Sequence, residues 1–247
     1  MPRSREVKSQ PTVVCFVRHG TTPTTGKVLP GRARGLHLSE RGREEADGAG
    51  KRLAALGTVR AVYASPLERA RETAKAVAGH LGLAVVVERG LFECDFGEWT
   101  GEELASLRKR PEWEAVQRHP SGFRFPGGES FAEVQARMAA TVERFLWAHP
   151  GETVVAVSHA DPIKIAVGDA LGQPLDLVQR TVISPCSVSV VAYGAGSPVV
   201  LAVNSTGDLT ALGFGASADG RPAGGRRRRA GAGAAGGGAD AAAGSGA

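Results

Sequence analysis

Short apolar runs alternate with amphipathic helical stripes along most of this chain, from about residue 12 to residue 203. The runs have the length of buried strands, and the stripes repeat at intervals of three and four residues. Strands crossed by helices are typical of a largely parallel sheet. The last two runs, 187–193 and 199–203, alternate like antiparallel or edge strands. The pattern predicts a three-layer α/β sandwich with a mostly parallel central sheet, helices on both faces and an antiparallel edge strand.

The individual elements follow from this alternation and from helix-start signals. Strands are predicted at 12–17, 60–64, 84–87 and 153–158. Helices are predicted at 39–56, at 65–81, from 130 and at 161–171. Two of the helix starts look like capping boxes, Ser65 with Glu68 and Ser130 with Glu133. Between residues 88 and 128 the chain reads as a long irregular loop, and loops of that length inside a domain are usually functional.

The two ends of the chain differ from the body. From residue 213 to 247, 24 of 35 residues are Gly or Ala, which leaves almost no side chain to pack. The formal net charge of +5 is carried by the ends, because residues 1–10 contribute +2 and residues 213–247 contribute +3. We expect a flexible basic N-terminus over 1–10, a folded domain over 11–212 and a disordered Gly/Ala/Arg-rich tail over 213–247. The neutral body excludes a strongly basic nucleic-acid-binding domain.

Cysteine content and hydropathy give a prediction of the cellular compartment. Three cysteines, far apart in the sequence, are too few for a disulfide framework or a Cys-rich zinc site. The N-terminus has no apolar run of the kind that a secretory signal needs, and about 18 consecutive apolar residues occur nowhere. These features predict a soluble, cytoplasmic protein with no membrane partner.

Polar residues follow the predicted parallel strands, where open α/β sheets bind their ligands. Arg18 and His19 follow the first strand, and Arg69 lies one turn into the helix after the second. Glu93 lies at the start of the long loop after the third strand, and His159 ends the run TVVAVS. We therefore expect two imidazoles, two guanidiniums and one carboxylate to meet at one edge of the sheet.

This set of groups suits the transfer of a phosphoryl group. Arg18 and Arg69 offer planar, permanently charged forks that match phosphate oxygens. A neutral imidazole is nucleophilic, and nearby guanidiniums disfavour its protonated form, so His19 is the predicted nucleophile. His159, if protonated, would stabilise the charge of the transferring group.

The leaving alkoxide needs a proton, and a carboxylic acid with a raised pKa can supply it and later remove one from water. Glu93 is the candidate for this role. Asp95 and Glu98 are alternatives, because either could reach the site from the same loop.

Five motifs resemble, in order and spacing, those of the histidine phosphatase superfamily, and most closely its phosphoglycerate mutase-like branch. They are RHGT at 18–21, SPLERARET at 65–73, LFECDFGEWTG at 91–101, PGGES at 126–130 and SHA at 158–160. The resemblance covers roughly residues 12–203. A lone Arg-His-Gly would be a weak signal, but five motifs in sequence make a chance match implausible.

The resemblance implies a phosphohistidine intermediate on His19, phosphate binding by Arg18, Arg69 and His159, and proton donation by Glu93. It implies no metal and no organic cofactor. The expected partner is a small phosphorylated metabolite, with no specific nucleic acid. Where many members carry Asn, seven residues after the motif arginine, this chain has Thr25, whose hydroxyl can still donate to a phosphate oxygen.

Three functions are compatible with this resemblance and with the composition. The first is a phosphatase that hydrolyses a small phosphomonoester, which makes 11–212 a catalytic domain. The second is a phosphomutase that uses the same residues. The third is a non-catalytic phosphate- or RNA-associated module acting through the basic ends.

Other features leave alternatives open. Segment 108–124 has a balance of +3 and is either a cap over the site, with Trp113 and Phe123 as apolar walls, or an ordinary solvated helix. The strands after residue 187 could pair two subunits into a homodimer. His37, His80, His119 and His149 show no partner pattern and are expected at the surface. We assign no site role to any of them.

Overall fold

In a computed structural model, which describes residues 10–214, the core is a six-stranded sheet in the order β3-β2-β4-β1-β5-β6. The strands are β1 (Thr12–Arg18), β2 (Val59–Ala64), β3 (Val85–Val87), β4 (Thr153–Ser158), β5 (Val188–Tyr193) and β6 (Val199–Ser205). The first four run parallel, β5 is antiparallel to β1, and β6 is antiparallel to β5. The predicted fold class is therefore confirmed.

Helices cover both faces of this sheet. They are α1 (Glu40–Ala54), α2 (Glu68–Leu81), α3 (Leu104–Leu107), α4 (Pro111–Arg118), α5 (Phe131–Ala148) and α6 (Ala160–Ala170). Because strand side chains alternate, Val14 and Phe16 of β1 pack towards α5 and α6, whereas Val13 and Cys15 pack towards α1 and α2. No helix of the described part is long and apolar enough to cross a membrane.

The predicted ends of the chain fall mostly beyond the described residues. Residues 1–9 and 215–247, which include nearly all of the predicted basic N-terminus and of the predicted tail, lie outside them. Phe214, which the sequence assigns to the tail, packs against the layer formed with α1 and α2.

One of the two predicted capping boxes is present. Ser130 and Glu133 form both reciprocal bonds at the start of α5. The prediction for Ser65 and Glu68 is wrong, because α2 begins only at Glu68, and its N-cap is Leu67, which makes no side-chain cap bond. Ser65 directly follows β2, at the edge of the sheet.

The segment from residue 88 to residue 128 is more regular than predicted. It contains α3, α4 and three single-turn 3-10 helices. Trp113 of α4 stacks on Trp99 with 6.4 Å between ring centroids, and Phe123 packs against the same indole at 5.6 Å. Both side chains thus pack against the apolar core and do not form the separate apolar walls that a cap over the site would need. For residues 111–118 the structure favours the helix interpretation.

The loop after β1 lies directly on α1. A Cβ atom at Gly20 would collide with the carbonyl oxygen of Gly42, and one at Gly42 would collide with that of Thr21. Glu45 of α1 accepts the backbone N–H of Thr21 at 2.9 Å. Glycine at positions 20 and 42 allows this close approach, which fixes the backbone next to His19.

Candidate active site

His19 follows β1 and is 4% exposed. Its backbone N–H donates to the carbonyl of Ser158, which ties the ends of β1 and β4 together. Its Nδ1 lies 2.8 Å from the carbonyl oxygen of Gly20. Since a carbonyl only accepts, the proton belongs on Nδ1, and the lone pair remains on Nε2.

The surroundings of His19 favour its neutral form. Burial lowers its pKa well below the ordinary value of 6.5, and the charges of Arg69 and Arg18 lower it further, against the opposing effect of the bond to Gly20. The imidazole is therefore neutral at pH 7. A neutral ring with an unprotonated Nε2 is a competent nucleophile.

Arg69 projects from the first turn of α2 and is fully buried. Its Nε lies 3.2 Å from Nε2 of His19, and its Nη2 donates to the carbonyl of Gly31 at 2.8 Å. Arg18 donates from Nη1 to the carbonyl of Ile183 at 2.6 Å. Both predicted phosphate clamps thus lie at the edge of the sheet beside His19, held by backbone carbonyls.

His159 lies at the end of β4, and its ring centroid is 5.1 Å from that of His19. The predicted meeting of two imidazoles that are 140 residues apart is confirmed. Nε2 of His159 lies 2.8 Å from the hydroxyl of Ser65. Burial, then Arg69, His19 and Arg18, lower the pKa of His159 well below its ordinary value. The site therefore does not favour the protonated form considered from the sequence.

These four residues are called the site cluster below: Arg18, His19, Arg69 and His159. Within residues 10–214, six buried side-chain polar atoms lack a hydrogen-bond partner, and three of them are Nε of Arg18, Nη1 of Arg69 and Nδ1 of His159. A buried donor without an acceptor costs about 1–3 kcal/mol. If Nε2 of His159 accepts the Ser65 hydroxyl, its Nδ1 carries a proton even when neutral. Unpartnered buried nitrogens on three residues of the site cluster fit a ligand rich in anionic oxygens.

Glu93 lies in the loop after β3 and is 6% exposed. Its Oε1 accepts the backbone N–H of Cys94 at 3.0 Å. Burial, and after it the charge of Asp161, raise the pKa of Glu93 to about 7, against the opposing effects of Arg69, the Cys94 amide and Arg18. A carboxyl group with this pKa can both give and take a proton near neutral pH.

The two alternatives to Glu93 are engaged elsewhere or exposed. Asp95 accepts the backbone N–H of Gly97 at 3.1 Å and lies 3.6 Å from Arg32. Glu98 is exposed. Of the three carboxylates that the sequence left open, Glu93 alone is buried.

Four charged side chains hold the Glu93 loop and are called the support cluster below: Arg32, Asp95, Glu129 and Arg137. Arg32 donates from Nε to the carbonyl of Glu93 at 2.9 Å and pairs with Glu129 at 2.8 Å. Arg137 donates from Nη1 to the carbonyl of Phe92 at 2.9 Å and pairs with Glu129 at 3.1 Å. The backbone on both sides of the Glu93 side chain is thereby fixed.

Thr25 closes a turn in the loop after His19. Its hydroxyl accepts the backbone N–H of Thr22 at 2.8 Å and lies 3.0 Å from the hydroxyl of the same residue. Its contact with phosphate stays a prediction.

Several residues of the site escaped the sequence analysis. Ser65 was assigned to a helix cap, and Asp161 only to a helix start. Thr73 accepts the backbone N–H of Gly20 at 3.0 Å and was not considered. The spacing of Asp161, two residues after His159, was the one available signal for its proximity to the site.

Three of the four histidines expected at the surface, His37, His80 and His119, are exposed, whereas His149 is not. His37, His80 and His119 each contact a carboxylate from another part of the chain. His149 lies between Tyr63 and Glu152, at 2.8 Å from each, with 16% of its side chain exposed. None of these pairs joins the site cluster. Sequence spacing could not show them, because in three of the four the partner is more than 30 residues away.

Comparison with known proteins connects this geometry to a family. The sequence model of a protein family described as histidine phosphatase superfamily (branch 1) matches residues 14–206 of this chain. A probable phosphoglycerate mutase of Cronobacter sakazakii is 32% identical over 183 residues, covering 73% of this chain and 84% of that protein. The solved structure of a phosphoserine phosphatase from Entamoeba histolytica, in complex with 3-phosphoglyceric acid, has a TM-score of 0.71 at 25% identity, covering 79% of this chain and 98% of that one.

A longer relative matches as well. A protein of Mycobacterium tuberculosis named as bifunctional is 35% identical over 210 residues, covering 82% of this chain. The match covers 56% of that relative, so this chain spans little more than half of its length.

Proposed function

The chain belongs to the histidine phosphatase superfamily, and on that premise we propose that it hydrolyses a small phosphomonoester through a phosphohistidine on Nε2 of His19. The observation that carries this proposal is that the site cluster has three buried nitrogens without a hydrogen-bond partner, on residues that accompany His19 at one edge of the sheet. They come from Arg18, Arg69 and His159, and they match the three nonbridging oxygens of a phosphoryl group.

The first step transfers the phosphoryl group to the protein. Nε2 of His19 attacks phosphorus, and the bond from phosphorus to the ester oxygen breaks. Glu93, in its protonated form, gives its proton to the departing oxygen, so that an alcohol and not an alkoxide leaves. The bond from Nδ1 of His19 to the Gly20 carbonyl stabilises the positive charge that develops on the ring.

The second step returns the group to water. The Glu93 carboxylate takes a proton from a water molecule, whose oxygen attacks phosphorus. The bond between phosphorus and His19 breaks, and inorganic phosphate leaves. Glu93 ends the cycle protonated, which its pKa of about 7 permits near neutral pH.

A phosphomutase is the second candidate, because one relative is named as a probable phosphoglycerate mutase. It would use the same residues, and the phosphoryl group on His19 would return to a hydroxyl of the substrate instead of passing to water. The two functions differ only in whether water reaches phospho-His19. The third candidate, a phosphate- or RNA-associated module, would act through the basic ends.

One experiment separates the three. The full chain is incubated with 3-phosphoglycerate and, separately, with 4-nitrophenyl phosphate, and free phosphate and 2-phosphoglycerate are measured. Release of phosphate from both substrates supports the phosphatase, and formation of 2-phosphoglycerate without release supports the mutase. Removal of residues 215–247 should leave turnover intact if the protein is an enzyme. Turnover at the normal rate by a His19→Ala protein would overturn the mechanism.

A further inference from the structure

The peptide unit between Gly20 and Thr21 joins the ring of His19 to a carboxylate of α1. Its carbonyl oxygen, on Gly20, lies 2.8 Å from Nδ1 of His19. Its N–H, on Thr21, donates to Oε2 of Glu45 at 2.9 Å. Because a peptide unit is planar and rigid, a bond that holds its N–H also fixes the direction of its C=O. A continuous line of hydrogen bonds therefore runs from Glu45 to the His19 ring.

The neighbouring peptide units are held by other side chains. The N–H of Gly20 donates to the hydroxyl of Thr73 in α2 at 3.0 Å. The carbonyl of Thr21 accepts the backbone N–H and the hydroxyl of Ser39, at 2.9 and 3.0 Å. The unit between these two could still rotate as a whole, because Gly20 has no Cβ atom to oppose the rotation. The bond from Thr21 to Glu45 prevents it.

The carboxylate of Glu45 is itself held in place. Its side chain is 20% exposed, and its Oε1 accepts the hydroxyl of Thr21 at 3.0 Å and Nε of Arg41 at 2.8 Å. Arg41, which is 78% exposed, compensates the charge of Glu45 from the solvent side. What Glu45 gives to the loop is therefore a fixed acceptor, and an uncharged acceptor of the same shape should serve as well.

We infer that Glu45 is a positioning residue for His19, since it holds the Gly20 carbonyl where that carbonyl keeps a proton on Nδ1 and leaves Nε2 free to attack. This inference rests on the proposed function, which makes Nε2 the nucleophile. A rotated peptide unit would turn its N–H towards Nδ1, which favours the tautomer with the proton on Nε2. That tautomer has no lone pair with which to attack phosphorus.

The direct test is the NMR signal of the His19 Nδ1 proton in the full chain without substrate, assigned by its absence from a His19→Asn protein. In Glu45→Leu, which offers no acceptor to Thr21, the signal should move upfield or broaden through exchange with water. In Glu45→Gln, which keeps an acceptor oxygen, it should stay in place. Glu44→Leu, at an exposed position next to it on α1, is the matched control and should not move it.

The second readout is the division of the effect between kcat and phosphate binding. In Glu45→Leu, kcat for 4-nitrophenyl phosphate should fall about 10-fold, because misplaced reacting groups cost up to about 10²-fold. Glu45→Gln should restore most of this loss. The dissociation constant for inorganic phosphate should change less than about twofold, since Arg18 and Arg69 are untouched. A purely structural role would lower the amount of folded protein without moving the Nδ1 signal of the folded part.

The outcomes separate this inference from the proposed function. An unchanged Nδ1 signal in a folded Glu45→Leu protein overturns the inference, whatever the activity, and so does loss of the signal in Glu45→Gln. A displaced signal in Glu45→Leu, together with a wild-type protein that hydrolyses no phosphomonoester, supports the positioning of His19 but overturns the proposed function. If Glu45→Leu does not fold, Glu45→Ala decides by the same signal, because alanine suits a helix and cannot reach Thr21.

Discussion

The support cluster holds the backbone of the Glu93 loop, the site cluster lies at the edge of the sheet, and the charges of the two clusters are compensated differently. In the support cluster each arginine is paired with a carboxylate and also holds a backbone carbonyl. In the site cluster neither arginine forms an ion pair with any residue from 10 to 214, and each keeps a buried nitrogen without a partner. Paired charges hold the loop in place, and unpaired ones remain free to bind an anion.

The two clusters should therefore respond differently when a cation is removed. A paired arginine leaves an uncompensated carboxylate behind, which costs stability. An unpaired, buried arginine already bears the cost of desolvation, so its loss should cost function more than stability.

Replacement of Arg69 by Met should lower kcat/KM about 10³-fold, because a donor to the transferring phosphoryl group is lost. The free energy of unfolding should stay within about 1 kcal/mol of wild type, since the loss of the bonds to the Gly31 carbonyl and to Nε2 of His19 is offset by the removal of a buried cation that has no ion-pair partner. Steady-state kinetics and urea unfolding provide the two measurements. Large destabilisation with activity retained would reverse the roles assigned to the clusters.

Replacement of Glu93 by Gln should lower kcat for glycerol 2-phosphate by roughly 10²- to 10³-fold, because general acid–base catalysis is lost. With 4-nitrophenyl phosphate the first step needs no acid, so a burst of one nitrophenolate per active site should precede slow turnover. Stopped-flow absorbance measures the burst. Glu98→Gln, at an exposed position on the same loop, is the control and should behave as wild type. Equal loss in both variants would argue against Glu93 as the proton donor.

Replacement of Arg137 by Met should lower the free energy of unfolding by about 2–3 kcal/mol, because bonds to Glu129 and to two backbone carbonyls are lost. Its side chain is 19% exposed, so solvent screens the pair only in part. Arg144→Met removes an arginine that is 53% exposed and paired with Glu88, and should cost less than about 1 kcal/mol. Comparable losses of unfolding free energy in the two variants would mean that the support cluster stabilises the fold no more than an exposed ion pair does.

Stability should depend on pH through the two imidazoles of the site cluster. The folded protein holds the pKa of His19 and of His159 below 6.5, whereas the unfolded chain takes up protons near that value. The free energy of unfolding contributed by these groups is therefore present above pH 6.5 and is lost as the pH falls below it. Glu93, whose pKa is raised, acts in the opposite direction between about pH 4.5 and 7.

A His19→Asn protein isolates one of these contributions. Between pH 6.5 and 5 its unfolding free energy should vary less steeply than that of wild type, by up to about 1.4 kcal/mol per pH unit. Urea unfolding at several pH values measures the slopes. An identical slope in the two proteins would mean that His19 is not held neutral by the fold.

The sequence predicted positions best where these depend only on the neighbouring residues in the chain. Arg18 ends a strand and His19 and His159 directly follow one, so the parallel sheet alone brings them to one edge. Ser130 and Glu133 form their capping box within one turn, which involves no distant part of the chain.

The sequence was least informative where partners are far apart. Ser65 serves His159, which is 94 residues away, and no local pattern distinguishes that role from a helix cap. The partners of Arg32 and Arg137 in the support cluster likewise depend on how the loop after β3 folds back on α5.

The most direct test of the account is the identity of the phosphorylated atom. The Glu93→Gln protein is mixed with 4-nitrophenyl phosphate, quenched in base, digested and mapped by mass spectrometry. The account predicts one phosphoryl group per chain on His19, stable in base and labile in acid, because the variant can form the intermediate but cannot activate water to remove it. A phosphoryl group on any other residue, or continued turnover with none on His19, would contradict it.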